Sequence, residues 1–84
     1  MTETEARDAL RAWIRARNPD VPPGEPADAT PLIQRRYLTS LQVADLLLYI
    51  EELRQTPVDP SRLKPGVFSS IDAIYSTFFD APAT

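Results

Sequence analysis

Apolar side chains recur at helical spacing in three windows of this chain, separated by two stretches that proline breaks up. In the first window Ala6, Leu10, Trp13 and Ile14 share one face, which predicts helix one over Thr2 to Arg17. Thr2 and Glu5 match a capping box, and acids fill the first turn while arginines fill the last. Asn18-Pro19 stops the helix. The second window predicts helix two from about Ser40 to Arg54, with Thr39 at the N-cap and Gln42 completing another capping box. Val43, Leu46, Leu47, Ile50 and Leu53 fall on one arc, with Ala44 at its border. The opposite arc carries Leu41, Gln42, Asp45, Leu48, Tyr49 and Glu52, so Leu41 and Leu48 sit among polar residues on the side that should face solvent. That placement argues for a docking surface. The third window starts near Ser69 and carries Ile71, Ile74, Tyr75 and Phe78.

Between the first two windows, residues 18–31 hold prolines 19, 22, 23, 26 and 31, a density that no regular element survives. This reads as an ordered Pro-rich connection, anchored by Leu32, Ile33 and Leu38 dropping into the core. Between the second and third, Pro57, Pro60 and Pro65 interrupt the chain, and Asp59 could cap a short helix over Pro60 to Lys64 with Gly66 beyond its end. Residues 81–84 form a frayed tail. The expected fold is all-α: one domain over residues 1–84, a small four-helix bundle of three main helices plus a short one, with a long loop between helices one and two.

Composition narrows the chemistry. With no cysteine and no histidine, the chain has no thiolate nucleophile, imidazole base, disulfide or ordinary zinc ligand set, and no metal site is expected. Any thiol chemistry must arrive on a prosthetic group. Net charge is −3, too mild to indicate nucleic acid or membrane. Arg7, Arg11 and Arg15 lie among acids and with no glycine-rich loop, which also argues against nucleic acid. The acidic Met-Thr-Glu-Thr-Glu start is unlike a secretory leader, and the apolar run from Leu46 to Ile50 is too short to span a bilayer, so a cytoplasmic monomer is expected. Trp13, Tyr75, Phe78 and Phe79 read as core or cover.

The segment Asp28-Ala-Thr-Pro-Leu32, the dipeptide Ser40-Leu41, the phase of Ala44, Leu47, Ile50, Glu51 and Glu52, and Ser69-Ser-Ile71 follow one another in an order that resembles the acyl and peptidyl carrier proteins. The similarity runs from about Ala27 to Phe78, with helix one matching only in pattern. The run Leu-Leu-Leu-Tyr-Ile-Glu-Glu-Leu looks more like discrete carriers of polyketide or nonribosomal-peptide pathways than the fatty-acid synthase carrier. The resemblance implies a 4'-phosphopantetheine arm, attached to Ser40 by a phosphopantetheinyl transferase and holding an acyl or aminoacyl group as a thioester. It implies partners of matching kinds: an acyl- or aminoacyl-loading ligase, an acyltransferase or a synthase. It makes Leu41, Asp45, Leu48, Glu51 and Glu52 the docking surface, and it implies no catalysis by the chain itself.

Three positions depart from that family pattern. Thr39 replaces the usual aspartate before the serine, and Gln42 stands where many members carry an acid. Arg54 replaces an aromatic near the end of helix two, which leaves Leu53 to fill the core there. Ser40 taken alone is also an ordinary first-turn serine. Asp45, Glu51 and Glu52 taken alone are a solvated helix face. Arg35-Arg36 could steer a partner or the arm's phosphate, although arginines before a helix are commonplace. The competing reading is a helical interaction adaptor with a carrier-like fold and no arm. A small enzyme would need a base, and no paired arrangement of the remaining carboxylates, lysine or tyrosines is apparent.

Overall fold

In the computed structural model, which describes residues 2–59, 61, 63–64 and 66–79, the described residues form three helices and no strand: α1 Glu3–Arg17, α2 Ser40–Arg54 and α3 Ile71–Phe78. The expected short helix over 60–64 and the tail 81–84 fall wholly or partly outside the described residues; Leu63 and Lys64 lie in no regular element. No helix among the described residues is long and apolar enough to cross a membrane.

Local chemistry sets the helix ends. Thr2 and Glu5 form the capping box of α1, Thr39 and Gln42 that of α2, and the Ser70 hydroxyl accepts from the Ala73 N–H to start α3. Helix α2 closes in a Schellman arrangement: the Gln55 N–H bonds the Glu52 carbonyl and the Thr56 N–H bonds that of Glu51, with Gln55 left-handed at φ 56°. The third apolar window thus enters its helix two residues later than the spacing suggests, because Ser70 is spent as the cap.

The helices meet over Leu10 and Ile14 of α1, Leu46 and Ile50 of α2, and Ile71, Ile74 and Phe78 of α3. The connections complete this core with Leu32, Leu38, Val58 and Phe68. Leu53 packs against it from the end of α2. Arg54 beside it is half-buried, with its Nη1 shielded from solvent and unpartnered among the described residues. Ile33 does not drop into the core as expected; it is 53% exposed. It belongs to a tight turn in which the Arg36 N–H bonds its carbonyl, and Leu32 has already taken the inward position. Val21, Pro26 and Thr30 supply burial that the apolar spacing did not reveal. Tyr49, expected on the outer arc of α2, is half-buried because its ring stacks on Trp13 at 6.2 Å between centroids.

The Pro-rich connection is ordered by α1. Arg15 donates to the carbonyls of Pro22 (2.8 Å) and Glu25 (2.6 Å), and Arg11 to that of Pro26 (2.7 Å). Arg11 also binds Asp8 and Asp28, while Arg7 binds Glu3 (2.9 Å), Asp28 (3.3 Å) and Asp72 of α3. The guanidinium of Arg7 is held above its ordinary pKa, chiefly by its hydrogen bond to Asp72 and further by Glu3 and Asp28, so it stays cationic at any working pH. Two backbone bonds tie the same connection to α3: Leu32 N–H to Ser69 O (2.8 Å) and Asp72 N–H to Asp28 O (2.9 Å). Pro23 and Gly24, the latter at φ 84°, take the central positions of a turn closed by the Glu25 N–H on Pro22 O, as a type II turn requires. The buried Thr30 hydroxyl donates to the Glu25 carboxylate and accepts from the Ala27 N–H.

Two outcomes follow for stability. In a double-mutant cycle of Arg11→Ala and Asp28→Ala, urea unfolding should give a coupling of about 0.5–2 kcal/mol that shrinks in high salt; additive effects would show that the pair does not hold the connection. The exposed Glu5 carboxyl is held below its ordinary pKa, first by the Thr2 N–H and then by the Thr2 hydroxyl. Its stabilising effect is therefore complete above the ordinary carboxylate range and disappears as pH falls through the lowered folded value. Carboxyl NMR titration of Thr2→Ala should move the Glu5 midpoint part of the way back up.

Candidate functional site

The tip of α2 is built by a division of labour among four consecutive residues. Thr39 has extended backbone (φ −101°), its hydroxyl accepts from the Gln42 N–H (3.3 Å), and its carbonyl accepts from the N–H groups of Gln42 and Val43. The Gln42 side chain returns to the Thr39 N–H (3.1 Å) through its oxygen. Through its nitrogen it donates to the side-chain oxygen of Asn18 (3.3 Å), whose own amide donates to the Ile14 carbonyl (2.9 Å). A glutamine can do both and a carboxylate cannot donate, so an acid at position 42 could not make this bridge. The tip of α2 is thereby locked to the end of α1.

Ser40, next to the cap, has no part in this network. It is exposed, and its hydroxyl has no hydrogen-bond partner among the described residues. The N–H groups of Ser40 and Leu41 also lack partners there, as the first N–H groups of a helix do. No acidic residue lies in the first turn of α2. An anionic substituent on the Ser40 oxygen would therefore meet free N–H groups and the positive end of the helix dipole without a neighbouring carboxylate to repel it. The residues present fit an esterified phosphate.

Below Ser40, four of the five expected docking residues form one exposed stripe: Leu41 (88% exposed), Asp45, Leu48 (62%) and Glu52, at i, i+4, i+7 and i+11. The fifth, Glu51, is half-buried and its carboxylate accepts from the Val58 N–H at 2.8 Å. Glu51 thus ties α2 to the chain that leaves it, and contributes less charge to the open face than its position suggested. Leu48, Glu51 and Glu52 line a shallow groove of about 460 Å³ with Gln55, Thr56 and Pro57. Its Leu48 edge lies roughly 12 Å along the helix from Ser40 at 1.5 Å per residue. Among the described residues no group of carboxylates converges to hold a metal ion.

A second cavity, of about 490 Å³, lies between the end of α1 and the turn before Ser40, lined by Arg17, Asn18, Asp20, Arg35, Arg36 and Tyr37 among others. The sequence singled out Arg35-Arg36 but not Arg17 or Tyr37, which only the folding of the connection brings beside them. No protein-family model, curated protein or solved structure matches the chain.

The capping geometry separates the roles of Thr39 and Ser40 by experiment. Thr39→Ala should lower stability by about 1 kcal/mol and speed amide exchange at Gln42 and Val43, whereas Ser40→Ala should stay within about 0.5 kcal/mol of wild type. Equal losses would mean that Ser40 is itself a structural cap.

Proposed function

We propose that the chain is a carrier protein that presents acyl or aminoacyl groups on a 4'-phosphopantetheine arm attached to Ser40. The observation that carries this reading is the idle, exposed hydroxyl of Ser40 beside a cap already completed by Thr39 and Gln42. A serine whose structural work is done by its neighbour is left for something outside the fold. When bound, the arm supplies a thiol that holds cargo as a thioester, which a chain without cysteine cannot supply itself.

The chain's own residues present and orient. The first turn of α2 stabilises the esterified phosphate by about 0.3–1 kcal/mol, too little to select a partner. Selection falls to the stripe below: Asp45 and Glu52 meet basic side chains on the transferase and on the loading ligase, acyltransferase or synthase, and Leu41 and Leu48 give the apolar contact. Exposed ion pairs of this kind contribute roughly 0.2–1 kcal/mol each and act mainly on encounter and orientation. Such weak contacts suit a protein that must leave each partner in turn. On this reading the chain is not an enzyme and works as a cytoplasmic monomer built as a small helical bundle.

The adaptor reading draws on the same exposed stripe but assigns Ser40 nothing. Incubation of the purified chain with coenzyme A and a promiscuous phosphopantetheinyl transferase separates the two. Intact mass should rise by one phosphopantetheine, and Ser40→Ala should abolish the gain while Thr39→Ala retains it. No gain with any of several transferases, on a chain shown to be folded, rejects the carrier reading in favour of the adaptor.

A further inference from the structure

We propose that the cavity between the end of α1 and the turn before Ser40 is an oxyanion subsite, taking the carboxylate of a small organic acid. Three arginines, Arg17, Arg35 and Arg36, line it against one acid, Asp20, in a chain whose net charge is −3. The other arginines of α1 are occupied: Arg7 and Arg11 are ion-paired and Arg15 binds backbone carbonyls. Arg35, Arg36 and the Tyr37 hydroxyl have no side-chain hydrogen bond or ion pair among the described residues, and Asp20 forms no ion pair with the arginines around it. Arg17 lies over the Trp13 ring at 4.2 Å, a cation–π contact, and its N–H groups have no hydrogen-bond acceptor among the described residues.

The backbone sets how Arg35 and Arg36 are presented. Arg36 is left-handed at φ 60°, a conformation that disfavours a residue with a Cβ. It is held there by its own N–H on Ile33 O (3.0 Å) and by the Tyr37 N–H on Leu32 O (2.8 Å). These bonds repeat the Schellman pattern that closes α2 at Gln55, so the left-handed residue ends a single helical turn and fixes where Arg35 and Arg36 leave the backbone. Two adjacent arginines and a phenol are thus delivered to one polar concavity, large enough for a small acid.

The cavity's occupant follows from its neighbour, and this step rests on the carrier reading. Tyr37 precedes Ser40 by three residues, so their Cα atoms are at most about 11 Å apart. Asn18 in the cavity wall is bonded to Gln42 in the same turn as Ser40. A dicarboxylic acid joined to the arm through one carboxyl would find a seat there for the other. The cavity therefore favours dicarboxylic over monocarboxylic cargo.

The subsite is tested first without any arm. The unmodified, nitrogen-15-labelled chain is titrated with succinate and with inorganic phosphate, following arginine Nε–H and the amides of Asn18, Asp20, Arg36 and Tyr37. Saturable shifts at these groups are expected, weakened about tenfold in Arg35→Gln/Arg36→Gln and tightened about threefold in Asp20→Asn. Non-saturable shifts, or equal affinity in all three chains with their melting curves unchanged, overturn the subsite. Should the double variant unfold, Asp20→Asn alone decides. The second arm compares the Ser40-linked succinyl and butyryl thioesters: succinyl alone should move the cavity amides, and identical spectra would overturn the assignment to tethered cargo. Failure to install the arm on Ser40 rejects the carrier reading, while the first titration still decides whether the cavity binds a carboxylate.

Discussion

The connection from α1 to α2 has local turns of its own but no regular element, so its path across the molecule has to be fixed from outside. Its prolines remove N–H donors and forbid helix, leaving carbonyls that must find partners elsewhere. The arginines spaced four apart on α1 provide them: Arg15 takes two carbonyls, Arg11 a third, and Arg7 and Arg11 together grip Asp28. Arg7 extends the grip to Asp72, so one guanidinium fastens the connection, α1 and the first turn of α3. Its side chain is only 17% exposed, which shields these charge-assisted bonds from solvent more than an ordinary surface pair. The ring of Tyr75 below it, at 4.8 Å, adds a cation–π contact.

Because that connection is fixed, the residues at its far end are fixed too. Leu32 and Leu38 are buried between the helices, and the turn between them leads directly into Thr39 and the tip of α2. The bond between Asn18 and Gln42 then links the end of α1 to the start of α2. Ser40 occupies a position whose surroundings are determined on both sides while its own hydroxyl remains uncommitted. Rigid support beneath an idle, exposed group is the arrangement expected where a partner acts on the chain.

Charge is sorted by the same folding. Acids and exposed leucines run down one face of α2, whereas arginines without an ion pair among the described residues collect beside the turn that precedes it. A protein with a small net charge can therefore offer two surfaces of different character on either side of one serine. The proposed roles of these surfaces differ accordingly: weak, reversible contact with successive proteins on one, and recognition of a small anion on the other.

Residue spacing alone was enough to specify the three helices, both capping boxes, most of the core, and the placement of Ser40 just inside the cap rather than on it. These depend on contacts between residues three or four apart, which periodicity reports directly. What α1's arginines bind, that Gln42 reaches Asn18, and how Glu51 is drawn to Val58 came only with the packed chain, since each partner lies on another segment. Ile33 and Leu32 are equally apolar, and only the closing of the turn chose between them. Tyr49 went from the outer arc to half-buried because Trp13 approached from a different helix. The basic cavity belongs to the same class: Arg17 and Arg36 stand far apart in the chain, and no local pattern says that a proline-broken connection will bring them to one wall.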